Sequence, residues 1–258
     1  MPDLTIQAVL LLVGAAFLAG MVDAVVGGGG LIQLPALMVA FPAAAPMQLL
    51  ATNKVGSIAG TSTSSITYFR RVHPDLKTAW PLACSAFAGS ALGAIAASHI
   101  PRAAFDPIVL IALLAVGCYV LAKPKVGFRE NLRYHGTKHY VAAASIGLGL
   151  GFYDGALGPG TGSFLVFALA GWLGYAFLEA SAKAKIANFA TNLAALVIFI
   201  PQGAVMWRYS LMIAAANLAG GYVGARVAVA RGAGFIRVVL IGVVAAFAIK
   251  ISWDIWHA

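Results

Sequence analysis

Two lysines and two aspartates stand inside stretches otherwise apolar enough to be membrane segments: Asp23 and Lys54 in the first half of the chain, Asp154 and Lys185 in the second. A charge at that depth costs about 2.5–3.5 kcal/mol on insertion scales, so it marks a solute path, an ion path or a pair. Each lysine heads a polar line. Lys54, Ser57 and Thr61 fall at i, i+3 and i+7, one face of a helix, and so do Lys185, Asn188 and Asn192. Two ammonium groups heading two such lines describe two walls of one cavity suited to an anion. The competing reading has each lysine snorkel to a nearby surface, since both lie in the first two turns of their segments.

The other chemistry-bearing residues are glycines. "VDAVVGGGG" ends at Gly30 and "DGALGPGTG" at Gly162, each just before an apolar stretch. A glycine costs about 1 kcal/mol per helix position relative to alanine, so four in a row stop a helix and leave backbone amides to find other partners. The following helix begins with free amides and about half a positive charge, which suits an anion. Gly28, Gly29 and Gly30 in the first tip, and Gly160, Thr161 and Gly162 in the second, are therefore candidate contacts. Pro159 fixes one turn of the second tip, and Thr161 is placed to cap the helix after it. There is no GxxxxGK[ST] and no strand pattern, so these are not nucleotide loops. Asp23 and Asp154 each precede a tip by one turn. Three roles compete for them: pairing with a lysine, capping freed amides, or binding a coupled proton or cation.

Sliding the chain on itself by 131 positions matches Gly20, Asp23, Gly27, Gly29, Lys54, Gly89 and Gly93 with Gly151, Asp154, Gly158, Gly160, Lys185, Gly220 and Gly224. This predicts two structural repeats, 1–122 and 139–258, joined by the basic segment 123–138. Each repeat holds a glycine-broken pair (8–26 with 31–45; 139–157 with 161–178) and three longer segments (47–69, 78–99, 103–122; 181–201, 209–230, 233–252). The fold expected is an all-α polytopic membrane protein of about 8–10 membrane segments. Five segments per repeat, or a re-entrant first pair, make an odd net passage and turn the second repeat over. With Arg70, Arg71 and Lys77 placed in the cytoplasm, inversion puts 13 basic residues inside and three (Arg102, Arg208, Lys250) outside, Lys54 set aside. A parallel arrangement gives 10 against 6, so the positive-inside rule favours inversion. Inversion would also bring Asp23 to the depth of Lys185, and Asp154 to that of Lys54, making cross-repeat pairing a hypothesis.

The chain as a whole agrees. Of 258 residues 61% are hydrophobic and 10% charged, with mean hydropathy +0.91, more apolar surface than a soluble domain can hide. The net charge of +9 falls largely in short loops, which argues for a lipid bilayer and against nucleic acid. Cys84 and Cys118 form no metal spacing, the five histidines show none and read as surface residues, and no catalytic constellation or cofactor motif is present. The protein is expected not to be an enzyme.

"GGGGLIQLPALM", "ATNKVGS", "FYDGALGPGTGSF" and "AKAKIANFATN" resemble the sulfite exporter TauE/SafE family, also called the 4-toluene sulfonate uptake permeases. The resemblance implies a carrier of sulfur-containing anions such as sulfite, sulfonates or sulfoacetate-like compounds in the bacterial inner membrane. Its Thr-Asn-Lys pattern falls on Thr52, Asn53 and Lys54, and its second-half motifs on Gly158 to Gly162, Asn188 and Asn192. The expectation is a secondary transporter holding a small anion between the glycine tips and the two lysines, with Asn53, Ser57, Thr61, Asn188 and Asn192 completing the lining and the 123–138 linker in the cytoplasm. An anion channel and a non-transporting partner subunit are the alternatives. Coupling to a proton or sodium ion, and homo-oligomer formation, stay open.

Overall fold

The computed structural model describes residues 5–101, 104, 105, 107, 108, 111 and 130–256, with side chains as far as Arg231 in the final helix. Most of segment 103–122 and residues 123–129 of the linker lie outside the described residues. The described secondary structure is helical: α1 (Ile6–Val26), α2 (Gly30–Ala40), α3 (Pro46–Val72), α4 (Leu76–Ala97), α5 (Gly136–Ala156), α6 (Thr161–Ala168) continued by a π turn (Leu169–Leu173), α7 (Phe177–Phe199) and α8 (Trp207–Trp256).

Local chemistry sets most boundaries. Thr5 caps α1 by accepting from the Ala8 amide at 3.3 Å. The helix stops at Gly27, whose φ of +79° a side chain would resist. Pro46 opens α3, where its missing N–H costs nothing, and Gln48 reaches back to the Ala45 amide. The residue ending α3, His73, takes φ +54° just before Pro74, and Asp75 then caps α4.

Three expected segments are corrected. The stretch 161–178 is not one helix: it widens into the π turn and ends at Gly174, φ +90°, where Asn131 and Arg133 donate backbone N–H groups to the Gly174 and Leu173 carbonyls. No break separates 209–230 from 233–252, because nothing beyond Pro201 removes a backbone donor and isolated glycines only weaken a helix. α5 also begins inside the expected linker, at Gly136.

Among the described residues, four helices are long and apolar enough to cross a membrane: α1, α4, α7 and Trp207–Arg231 of α8. At 1.5 Å per residue, the 11 residues of α2 and the 13 of α6 with its turn reach only about 16 and 20 Å. Each glycine pair thus joins a full helix to a half-length one.

The broadest packing is between α4 and α5 and between α1 and α8. Gly89 and Gly93 let α4 approach so closely that an added Cβ would stand 2.2 and 2.1 Å from the Leu148 and Phe152 carbonyl oxygens. Gly220 and Gly224 do the same against Phe17 and Met21, at 2.0 and 2.3 Å. Those partners, too, are 131 residues apart. Large apolar side chains such as Leu11, Trp80, Trp172 and Trp207 face outward, while Thr52, Asn53, Lys54, Ser181, Lys183 and Lys185 are buried.

Candidate functional site

The two glycine tips meet. Ser163 donates its amide to the Gly27 carbonyl at 3.1 Å and its hydroxyl to the Val26 carbonyl at 2.7 Å. A Cβ on Gly27 would lie 2.1 Å from the Gly162 carbonyl carbon, so neither position has room for a side chain. The tip glycines are there to let two backbones touch, as well as to free amides. Tyr153 braces the second tip by donating its hydroxyl to the Pro159 carbonyl at 2.7 Å.

α3 and α7 bring the charged groups to this contact. Lys54 Nζ lies 2.6 Å from Asp154 Oδ2, with the two side chains 1% and 3% exposed. Lys185 donates to the Asp23 backbone carbonyl and to its Oδ2, the latter at 3.1 Å. Asp23 also accepts from the Gly29 amide at 3.4 Å. Each lysine is thus paired with the aspartate of the other half. The snorkelling reading fails for both, since each is only 1% exposed.

Around the pairs is a small polar cavity. Of the predicted residues it is lined by Gly30, Asn53, Lys54, Ser57, Gly162, Asn188 and Asn192, together with Asp23 and Asp154. It leaves a water-sized sphere about 10 Å³, room for roughly one water. Asn53 Oδ1 has no hydrogen-bond partner among the described residues. The amides of Gly30 and Gly162 likewise have no acceptor among them. A buried side-chain oxygen left over in this way is costly, and Asn53 and the two free amides border one space.

Six predicted residues lie outside the lining. Lys185 is held by Asp23 behind it. Thr61 turns its hydroxyl back to its own helix, onto the Ser57 carbonyl at 2.8 Å. Gly28 and Gly29 form the turn into α2, with Leu31 and Ile32 donating to their carbonyls. Gly160, at φ +76°, is the cap of α6 in place of Thr161. The Thr161 hydroxyl instead donates to the Gly158 carbonyl at 2.9 Å, because the left-handed glycine has already started the helix.

Sequence reasoning missed three things. Gly27 and Gly158 line the cavity. Gln33 and Asn217 are buried, and Asn217 donates to Gln33 Oε1 at 2.6 Å while Gln33 donates to the Asn53 carbonyl at 3.0 Å. A lone amide inside each apolar stretch was the available signal. His139 is not a surface histidine but 6% exposed, with Nε2 at 2.8 Å from the Tyr175 hydroxyl and 3.1 Å from Thr78 Oγ1. Nearby, Lys183 pairs with Glu179 at 2.7 Å over the Tyr175 ring. Lys183 and Lys185 are therefore core residues rather than loop cations.

Buried charge, half-length helices and an apolar exterior define a polytopic membrane protein, and its relatives define the class as membrane transporters. A probable membrane transporter protein, ORF9, of a Sinorhizobium species is 35% identical over 257 residues, covering 100% of this chain and 97% of the relative. A probable membrane transporter protein of Haemophilus influenzae is 34% identical, covering 91% of each. The probable membrane transporter protein YfcA of Escherichia coli K12 is 32% identical over 93% of this chain and 87% of its own length. The family model described as sulfite exporter TauE/SafE matches residues 12–251, and the chain belongs to that family. No solved structure matches it.

Proposed function

We propose that this protein is a secondary transporter of small sulfur-bearing oxyanions, sulfite or short sulfonates, working by alternating access in the bacterial inner membrane. One observation carries the reading: two buried lysines, each held by the other half's aspartate, flank a closed polar cavity where two glycine tips touch. The solute would displace a carboxylate from Lys54, and accept from the Gly30 and Gly162 amides and from the Ser57, Asn188 and Asn192 side chains. Asn53 completes the lining. The cavity holds about one water, so a four-atom oxyanion enters only when the halves part. A permanently open channel fits such a closed space poorly.

An inverted relation of the repeats, 1–122 and 139–258, supports the rocking motion. Ser65, late in α3, donates to the Lys185 carbonyl early in α7. Ser57, earlier in α3, shares the cavity with Asn188 and Asn192, later in α7. Helices related by the 131-residue shift thus cross in opposite senses, as a two-fold axis in the membrane plane requires. The basic linker 123–138 and the α3–α4 turn with Arg70, Arg71 and Lys77 would share the cytoplasmic side, in keeping with the positive-inside rule.

Charge balance suggests the coupling. Two lysines and two aspartates make the closed site neutral. An anion added to it would stand uncompensated in a dry space, so we assign a proton or sodium ion to Asp23 or Asp154 on each loading.

The test is flux into proteoliposomes with labelled sulfite, sulfate, thiosulfate and short sulfonates. Saturable uptake with counterflow for a sulfur oxyanion is expected, weakened in Lys54→Ala and Lys185→Ala. Linear flux without counterflow would make the protein a channel, and unchanged affinity in both variants would remove the lysines from the site.

A further inference from the structure

We propose that the arginine end of α3 and α8 is a binding site for an anionic phospholipid, separate from the central cavity. The two helices run side by side in the same sense. Gly56 faces Ile213, Gly60 faces Asn217, and Thr63 donates to the Leu218 carbonyl at 3.3 Å. One to two turns further along, a cavity of about 320 Å³ is bordered by Thr67, Arg70 and Arg71 of α3 and by Tyr222 and Arg226 of α8. Among the described residues no carboxylate lies within ion-pair distance of these three arginines. Arg226 stacks 4.4 Å from the centre of the Tyr222 ring, which holds its planar fork ready for a phosphate. Arg70 and Arg71 complement the carbonyl end of α3, as basic residues at helix ends do. That account does not extend to Arg226, which lies in the interior of a long helix.

A second crevice, of about 430 Å³, shares Ile66 and Arg70 with the first and runs along Phe69, Leu76 and Trp80. All three are exposed, Trp80 by 66%. A cationic recess opening beside an apolar trough matches a molecule with a phosphate at one end and an acyl chain at the other. A free phosphate would fill only the first. The site also joins the two halves of the chain: Arg70, Arg71 and Trp80 belong to one, Tyr222 and Arg226 to the other. A lipid seated there ties together helices that alternating access would separate. Lys54 lies 16 residues before Arg70, about 24 Å along α3, so the central cavity is a distinct place.

The experiment is native mass spectrometry of the delipidated, full-length protein in detergent. It is titrated with phosphatidylglycerol, with phosphatidylcholine of the same chains, and with inorganic phosphate. Phosphatidylglycerol should bind at least tenfold tighter than either, and weaken as salt is raised. Each of Arg70→Gln, Arg71→Gln and Arg226→Gln should loosen it about fivefold, as expected for one basic group at an anionic surface. Trp80→Ala should loosen both lipids. Arg208→Gln, away from the site, should change nothing. If Arg70→Gln or Arg71→Gln does not fold, Arg226→Gln alone decides. Equal binding of the two lipids, inorganic phosphate as tight as phosphatidylglycerol, or full affinity in Arg226→Gln would each overturn the assignment.

Discussion

Lys54 and Asp154 are a hundred residues apart in the chain and 2.6 Å apart in the fold, sealed from solvent on both sides. Their counterparts Lys185 and Asp23 meet across the same interface. Two cross-linked pairs make the contact between the halves depend on charge as much as on packing, and that dependence can be tested.

Removing one member of a buried pair leaves the other uncompensated, at a cost of about 3–5 kcal/mol. Asp154→Ala and Lys54→Ala should each lower the thermal midpoint in detergent by many degrees. The double variant Lys54→Met/Asp154→Leu should recover most of that stability and still transport nothing. A double variant as unstable as the singles would show that the pair is not the interaction lost.

The tips tolerate no side chain. Gly27→Ala adds a left-handed penalty of about 1–2 kcal/mol to a Cβ placed 2.1 Å from Gly162. Size-exclusion profiles should show aggregated or absent protein. Gly14→Ala is the control: it sits in α1 with nothing within 4 Å and should gain up to about 1 kcal/mol.

Gln33 links α2 to α3 and α8 through two buried hydrogen bonds. Gln33→Leu strands the Asn217 amide, costing about 1–3 kcal/mol. Adding Asn217→Leu should return part of it, giving a coupling energy in a thermal-unfolding cycle that simple additivity would not produce.

Asp75 caps α4 outside the spanning segment. Burial pushes its carboxyl upward, but the Thr78 hydroxyl, the Lys77 amide and the charge of Lys183 outweigh it and hold the carboxyl below its ordinary 3.8. A depressed folded value stabilises above the unfolded one and is lost as pH falls through the folded one. Asp75→Ala should therefore cost about 1 kcal/mol at pH 7. The gap to wild type should begin to close as pH drops below the ordinary carboxylate value, and be gone under the depressed one. A gap unchanged at low pH would remove the ionised cap from the account.

Composition by itself determined that the chain lives in lipid, because that much apolar surface has no other solvent. The 131-residue offset matched Asp23 with Asp154 and Lys54 with Lys185 in the sequence, where charges inside apolar stretches are costly enough to stand out. Helical spacing placed Lys54 with Ser57 and Lys185 with Asn188, since side chains on one helix follow a fixed period. The tertiary structure decided what that period cannot reach. It assigned each lysine's partner, closed the tips on one another, turned Thr61 back onto its helix and Thr161 onto Gly158, and buried His139 and Lys183. Those outcomes depend on which helix faces which, and a one-dimensional pattern carries a face but not its neighbour.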